Sequence, residues 1–117
     1  MSSHLSENDI QKQILDYLTL KNIFHWRQNT GGMVKDYETK SGEKKKYFVK
    51  FGKAGISDIL GCHRGKMFAV EVKRPGGKAT DNQKEFQRDL VRAGGIGIIC
   101  WSFKEFVEDW NSWNLRK

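Results

Sequence analysis

Asp58, Glu71 and Lys73 are the residues whose types and spacing suit chemistry on a phosphate or a divalent cation. They lie on two β-rich runs, Gly55-Ile56-Ser57-Asp58-Ile59-Leu60-Gly61 and Phe68-Ala69-Val70-Glu71-Val72-Lys73, which flank the turn-like His63-Arg64-Gly65-Lys66. Glycine at the second central position predicts an antiparallel hairpin centred on Arg64-Gly65, with Asp58 opposite Glu71. Directly opposed Cβ atoms lie about 4.5–5.5 Å apart, so the two carboxylates would repel unless a cation sat between them. Lys73, two residues beyond Glu71, projects from the same face. The simpler alternative is a cross-strand ion pair in which Lys73 neutralises the acids. Phe68, Val70 and Val72 alternate with the polar set and Ile59 shares their side, as expected of strands buried on one face with the other given to charge.

The elements that must hold these groups can be read outward from them. Ser6 is the expected N-cap of a first helix, with Asp9 closing a capping box and Leu5 able to staple onto Ile10. Ile10, Ile14, Tyr17 and Leu18 form its apolar stripe. Glu7, in the first turn on the edge of that stripe, suits the positive end of the helix dipole. Phe24–Asn29 and Lys46–Phe51 read as strands, the second interleaving aromatic and basic residues. Between them, residues 30–45 read as a flexible basic loop or hairpin.

After Lys73, Arg74-Pro75-Gly76-Gly77 ends the strand, because proline cannot continue the ladder. Thr80 and Gln83 then make the capping box of a second helix with Phe86, Leu90 and Ala93 as its apolar face, ending at Gly94-Gly95. Gln83 also borders the inward face. Ile96–Trp101 is a short apolar strand, which completes a β-α-β unit. Ser102 caps a third helix whose stripe is Phe103, Phe106, Val107 and Trp110. Trp113 and the basic tail Arg116-Lys117 follow. Trp110 and Trp113 read as core, or as residues hidden in a dimer interface. The expected fold is α/β: a single compact domain over residues 1–117, with a mixed central sheet flanked by helices.

Composition narrows the partners. Lys and Arg outnumber Asp and Glu by 21 to 14 among 117 residues, a net charge of +7 with a pI near 9.5. Such a chain should prefer a polyanion, nucleic acid first. From Lys35 to Lys53 there are seven lysines against three acids, Asp36, Glu38 and Glu43. Such a run reads either as a solvated loop or as phosphate contact, through Arg27, Lys44, Lys45, Lys46, Lys50, Lys53 and Arg74.

Cys62 and Cys100 are isolated and only His4, His25 and His63 are present, which disfavours zinc and disulfide frameworks. Any metal should be held by oxygen, as Mg²⁺ or Mn²⁺ are. No run of about 18 apolar residues is present, and Met1-Ser2-Ser3-His4 does not read as a signal peptide, so the expectation is a soluble, cytoplasmic protein.

Taken together, these residues resemble the PD-(D/E)xK nuclease superfamily and, more narrowly, its virus-type replication-repair nuclease (VRR-NUC) domain. The similarity runs from Glu7 to about Phe106: Glu7 and Gln11 on the first helix, Asn29-Thr30-Gly31, Gly55-Ile56-Ser57-Asp58, Glu71-Val72-Lys73-Arg74-Pro75, Gln83, and Ala93-Gly94-Gly95. One departure is Ser57, where the superfamily often has proline before the acid. That position shapes the turn and binds no metal.

The resemblance implies a restriction-endonuclease-like domain in which Asp58, Glu71 and the Val72 backbone carbonyl hold Mg²⁺ or Mn²⁺. It makes Lys73 the catalytic lysine, Gln83 an accessory site residue, and Glu7 a further member from the first helix, as a catalytic residue or an added metal ligand. The implied activity is a metal-dependent, structure-selective DNA endonuclease leaving 5′-phosphate and 3′-hydroxyl ends. Small stand-alone members suggest a homodimer acting on four-way (Holliday) junctions. Flap or branched-end cleavage would use the same site, and a nucleic-acid-binding module without catalysis is the alternative from another class.

Overall fold

The computed structural model describes residues 5–28, 32–50 and 52–115. The Asn29-Thr30-Gly31 motif, Phe51 and the Arg116-Lys117 tail fall outside them, as does the side chain of Lys50. The elements are α1 (Glu7–Leu20), β1 (Phe24–Arg27), β2 (Gly32–Glu38), β3 (Lys44–Lys50), β4 (Ile59–His63), β5 (Lys66–Val72), α2 (Asp81–Arg92), β6 (Ile96–Cys100) and α3 (Phe103–Leu115).

Four strands form the central sheet in the order β1-β4-β5-β6. The β1/β4 and β4/β5 pairs are antiparallel and β5/β6 is parallel, so the sheet is mixed. The β4–β5 hairpin has the expected register, with Ile59 opposite Val70 and His63 opposite Lys66. Arg64 at φ 52° and Gly65 at φ 81° supply two consecutive left-handed residues, the requirement of a type I′ turn. The same register carried one step further sets Asp58, just ahead of β4, opposite Glu71.

Both expected capping boxes form. Ser6 Oγ accepts from the Asp9 N–H at 3.1 Å and Thr80 Oγ1 from the Gln83 N–H at 3.2 Å. α1 buries Ile10, Ile14 and Leu18, and α3 buries Phe106 and Trp110, against Ile59, Phe68, Val70, Val72, Ile98 and Cys100 of the sheet. Trp110 meets Phe68 edge-on at 5.0 Å, and Trp113 packs against the same cluster.

The opposite face departs from expectation. It is not surrendered to charge, because α2 covers it and packs Phe86 and Leu90 against Leu60 and Ala69. β5 is therefore buried continuously from Phe68 to Val72, the pattern of a strand covered on both sides. Ala93, expected on the apolar face of α2, is instead its exposed C-cap.

In the segment 30–45, the described residues 32–45 take the hairpin alternative and not the loop. β2 and β3 pair antiparallel from Gly32 opposite Lys50 to Glu38 opposite Lys44, as a separate two-stranded sheet. Among the described residues that hairpin makes no extensive contact with the central sheet or its helices. No helix among them is long and apolar enough to cross a membrane.

Candidate active site

The site gathers where the end of β5, the loop entering β4 and the N-terminus of α2 meet. Asp58 is anchored by backbone on both sides: its carbonyl accepts the Gln28 N–H at 2.7 Å, and Oδ2 accepts the Val72 N–H at 2.8 Å. Glu71 is 2% exposed. Its Oε2 takes the Gln83 amide N–H at 3.3 Å and lies 3.5 Å from Lys73 Nζ. Its Oε1 is buried and receives no hydrogen bond from an N–H or hydroxyl, and the other polar neighbour of the carboxyl is that of Asp58, a contact two ionised acids tolerate only with a shared proton or cation. A buried acceptor left unpaired costs about 1–3 kcal/mol, more when charged, so this oxygen marks a place where a ligand would recover lost energy.

The electrostatics agree. Burial, then the neighbouring Asp58, push the Glu71 carboxyl up to about 8, and the Lys73 ammonium pulls it down without offsetting them. Two acids and one ammonium therefore share a site short of positive charge, which a divalent cation would correct.

Val72 fits the same scheme. In a strand, the N–H and C=O of one residue point to the same side, and the Val72 N–H points to Asp58. The next N–H, that of Lys73, points the other way, to the Cys100 carbonyl at 2.9 Å on β6. Because the intervening peptide is trans, the Val72 carbonyl is directed away from β6, toward the Asp58 side. The donor set of two carboxylates and a backbone carbonyl is all oxygen and suits Mg²⁺ or Mn²⁺, which retain several waters.

Glu7 is brought to this end of the sheet but makes a different contact. Its Oε2 accepts the Arg74 N–H at 3.4 Å. Among the described residues no group of three or more His, Cys, Asp or Glu side chains converges as a metal site. Glu7 therefore borders the Asp58–Glu71 pair without forming a three-acid cluster. One turn on, Gln11 is 6% exposed and its Oε1 also lacks a partner.

The basic residues divide. Arg27 donates to Asn8 Oδ1 at 3.0 Å, and the Arg74 backbone meets Glu7, so both flank the first turn of α1 beside the acids. Lys53 is exposed in the loop before β4, near Asn82 and Glu85 of α2. Lys44, Lys45 and Lys46 lie on β3, where side chains alternate, so they do not act as one patch. Lys44 and Lys46 stand opposite Glu38 and Asp36, while Lys45 faces the other way, opposite Tyr37.

Three supporting residues have no strong signal in the sequence. Gln87, 6% exposed on α2, donates through Nε2 to Ser57 Oγ at 2.9 Å and to the Ala69 carbonyl at 3.2 Å. It locks the residue before Asp58 to the strand that carries Glu71, and it does so through a hydroxyl that a proline at position 57 would lack. Gly97 leaves room for the Gln87 amide, whose oxygen any Cβ there would strike. Trp101 donates its indole N–H to the Gly77 carbonyl at 2.6 Å, tying the turn after Lys73 to the end of β6. The only advance signal for Gln87 was its position four residues after Gln83, on the same side of a helix.

No family model matches this chain, and no curated protein matches it at a significant level.

Proposed function

We propose that the protein is a Mg²⁺- or Mn²⁺-dependent endodeoxyribonuclease of the PD-(D/E)xK type, resembling VRR-NUC domains and selective for branched DNA. The carrying observation is Glu71: a buried carboxyl with one oxygen held by Lys73 and Gln83 and the other receiving no N–H or hydroxyl donor, pressed against the Asp58 carboxyl. An ordinary surface ion pair would not bury its acid, nor leave half of it unsatisfied.

In this reading Asp58, Glu71 and the Val72 carbonyl hold the metal, with Glu7 at the margin. When bound, Mg²⁺ or Mn²⁺ supplies Lewis-acid polarisation of a phosphate and lowers the pKa of a water. Lys73, 12% exposed and 3.5 Å from Glu71, orients the attacking water and offsets charge developing on the phosphate. Gln83 holds Glu71 in its rotamer. Hydrolysis breaks the P–O3′ bond and leaves 5′-phosphate and 3′-hydroxyl ends. Arg27, Arg74 and the hairpin lysines bind backbone phosphates.

A homodimer resolving four-way junctions is the preferred form, since paired symmetric incisions are most simply made by two identical sites on a twofold axis. The test is cleavage of end-labelled four-way junctions, flaps, forks and plain duplex with Mg²⁺ and with EDTA, beside a measured solution mass. Mg²⁺-dependent cutting of branched over linear DNA is the expected result. Absence of cutting on every substrate, with binding intact, would leave a binding module.

A further inference from the structure

The β2–β3 hairpin has two chemically different faces. Strand alternation and the observed register put Val34, Asp36, Glu38, Lys44, Lys46 and Phe48 on one side. There each acid stands opposite a lysine, and Val34 stands opposite Phe48. On the other side Lys35, Tyr37, Lys45 and Tyr47 stand together with no acid among the strand residues, and Glu43 follows on this side only at the tip, where its carbonyl accepts the Thr39 N–H at 2.9 Å. Tyr37 and Tyr47 meet edge to face with centroids 5.5 Å apart, yet are 45% and 48% exposed. Lys35 is opposite Tyr47 and Lys45 is opposite Tyr37; among the described residues none of the four lysines Lys35, Lys44, Lys45 and Lys46 is in an ion pair within 4.0 Å, but only Lys44 and Lys46 have an acid directly opposite.

A cross-strand tyrosine pair can be explained as hairpin stabilisation alone, but that role does not require two flanking cations. The combination of open aromatic rings with unpaired ammonium groups matches a strand of nucleotides, whose bases stack on the rings while its phosphates meet the lysines. Blunt duplex satisfies only the second half, because its bases are already stacked on one another. Charge complementarity favours a DNA strand over a second copy of this chain, whose net charge is +7.

We infer that the Lys35–Tyr37–Lys45–Tyr47 face of the hairpin binds unpaired nucleotides of a DNA strand by base stacking. This rests on the nuclease reading only for its biological sense: it would select substrates that expose unpaired bases beside a branch. Lys44 and Lys46, on the acid-matched face, are not part of it.

The test is fluorescence anisotropy of the full chain with a labelled oligo-dT and with a blunt duplex of equal length, in EDTA. The variants are Tyr37→Ala with Tyr47→Ala, the same pair changed to Phe, and Phe48→Ala on the opposite face. The alanine pair is expected to weaken oligo-dT binding about tenfold or more and duplex binding less than about twofold. The phenylalanine pair is expected to restore binding, because stacking needs the ring and not the hydroxyl, and Phe48→Ala to leave it unchanged. Equal losses on both DNAs, no loss with the alanine pair, or a larger loss with Phe48→Ala would overturn the inference. With no divalent metal present, those outcomes leave the nuclease reading standing; a chain that binds as expected and never cuts would remove the nuclease reading alone.

Discussion

Gln83 joins two jobs in one side chain. Its Oε1 accepts the Thr80 N–H at 2.8 Å to complete the cap of α2, while its Nε2 donates to the buried Glu71 carboxylate at 3.3 Å. The helix start and the candidate metal ligand are thus held by the same amide. Gln83→Glu preserves an acceptor for Thr80 but faces Glu71 with a second carboxyl. Unchanged helicity by circular dichroism with at least a tenfold drop in cleavage rate is expected. Loss of helix and activity together would make Gln83 a cap and nothing more.

Glu71 should impose a pH dependence on stability. Its carboxyl, pushed up to about 8 by burial and by Asp58, is protonated in the folded chain where the unfolded group, with an ordinary value of 4.5, is already ionised. Between those values the unfolded state binds fewer protons, so stability falls as pH rises, by at most about 1.4 kcal/mol per pH unit from this group, and levels off above about 8. Glu71→Gln is expected to remove this slope and to melt above the wild type near pH 8. Added Mn²⁺ should raise the wild-type melting temperature there and leave the variant unmoved. Parallel pH profiles for the two proteins would contradict the burial argument.

Gln87 positions the acids without touching them. Gln87→Leu removes the donor shared by Ser57 Oγ and the Ala69 carbonyl, which are otherwise buried. A stability loss of about 1–3 kcal/mol by urea denaturation is expected, with a lower kcat at unchanged KM. An unaffected kcat in a folded variant would confine Gln87 to structure.

Gly55 links the Asp58 loop to α2. It sits at φ +73°, and a Cβ there would strike the Asn82 carbonyl in the first turn of the helix. Gly55→Ala combines left-handed strain with a backbone collision, so a loss of about 2 kcal/mol or more is expected in chemical denaturation. Gly52→Ala also meets a positive φ but has open space around it, and should cost less. Equal losses would show that the conformation alone matters and the contact does not.

The sequence carried local features further than tertiary ones. Thr80, Gln83, Ser6 and Asp9 declare their helix starts because a capping box is complete within four residues. The Asp58–Glu71 register was legible because two β-rich runs joined by a two-residue loop with glycine second favour a tight hairpin, and loop length sets pairing. What the pattern missed was the covering of the second sheet face. Leu60 and Ala69 are too few to announce a buried layer, and it takes the packing of Phe86 on them and the Gln83–Glu71 hydrogen bond to show that Glu71 lies beneath α2. The hairpin of β2 and β3 was half visible for a related reason. Without a core to face, Gly32–Glu38 has little apolar alternation, and its pairing with β3 matches acids to lysines instead.

The most direct measurement is single-turnover cleavage of an end-labelled four-way junction in Mg²⁺ by the wild type, Lys73→Ala and Glu71→Ala, with binding of each measured on the same DNA. Metal-dependent cutting by the wild type, and at least about a hundredfold slower cutting by both variants at comparable affinity, is the expected result. Both variants cutting at the wild-type rate would contradict the assignment of Asp58, Glu71 and Lys73 as a catalytic centre.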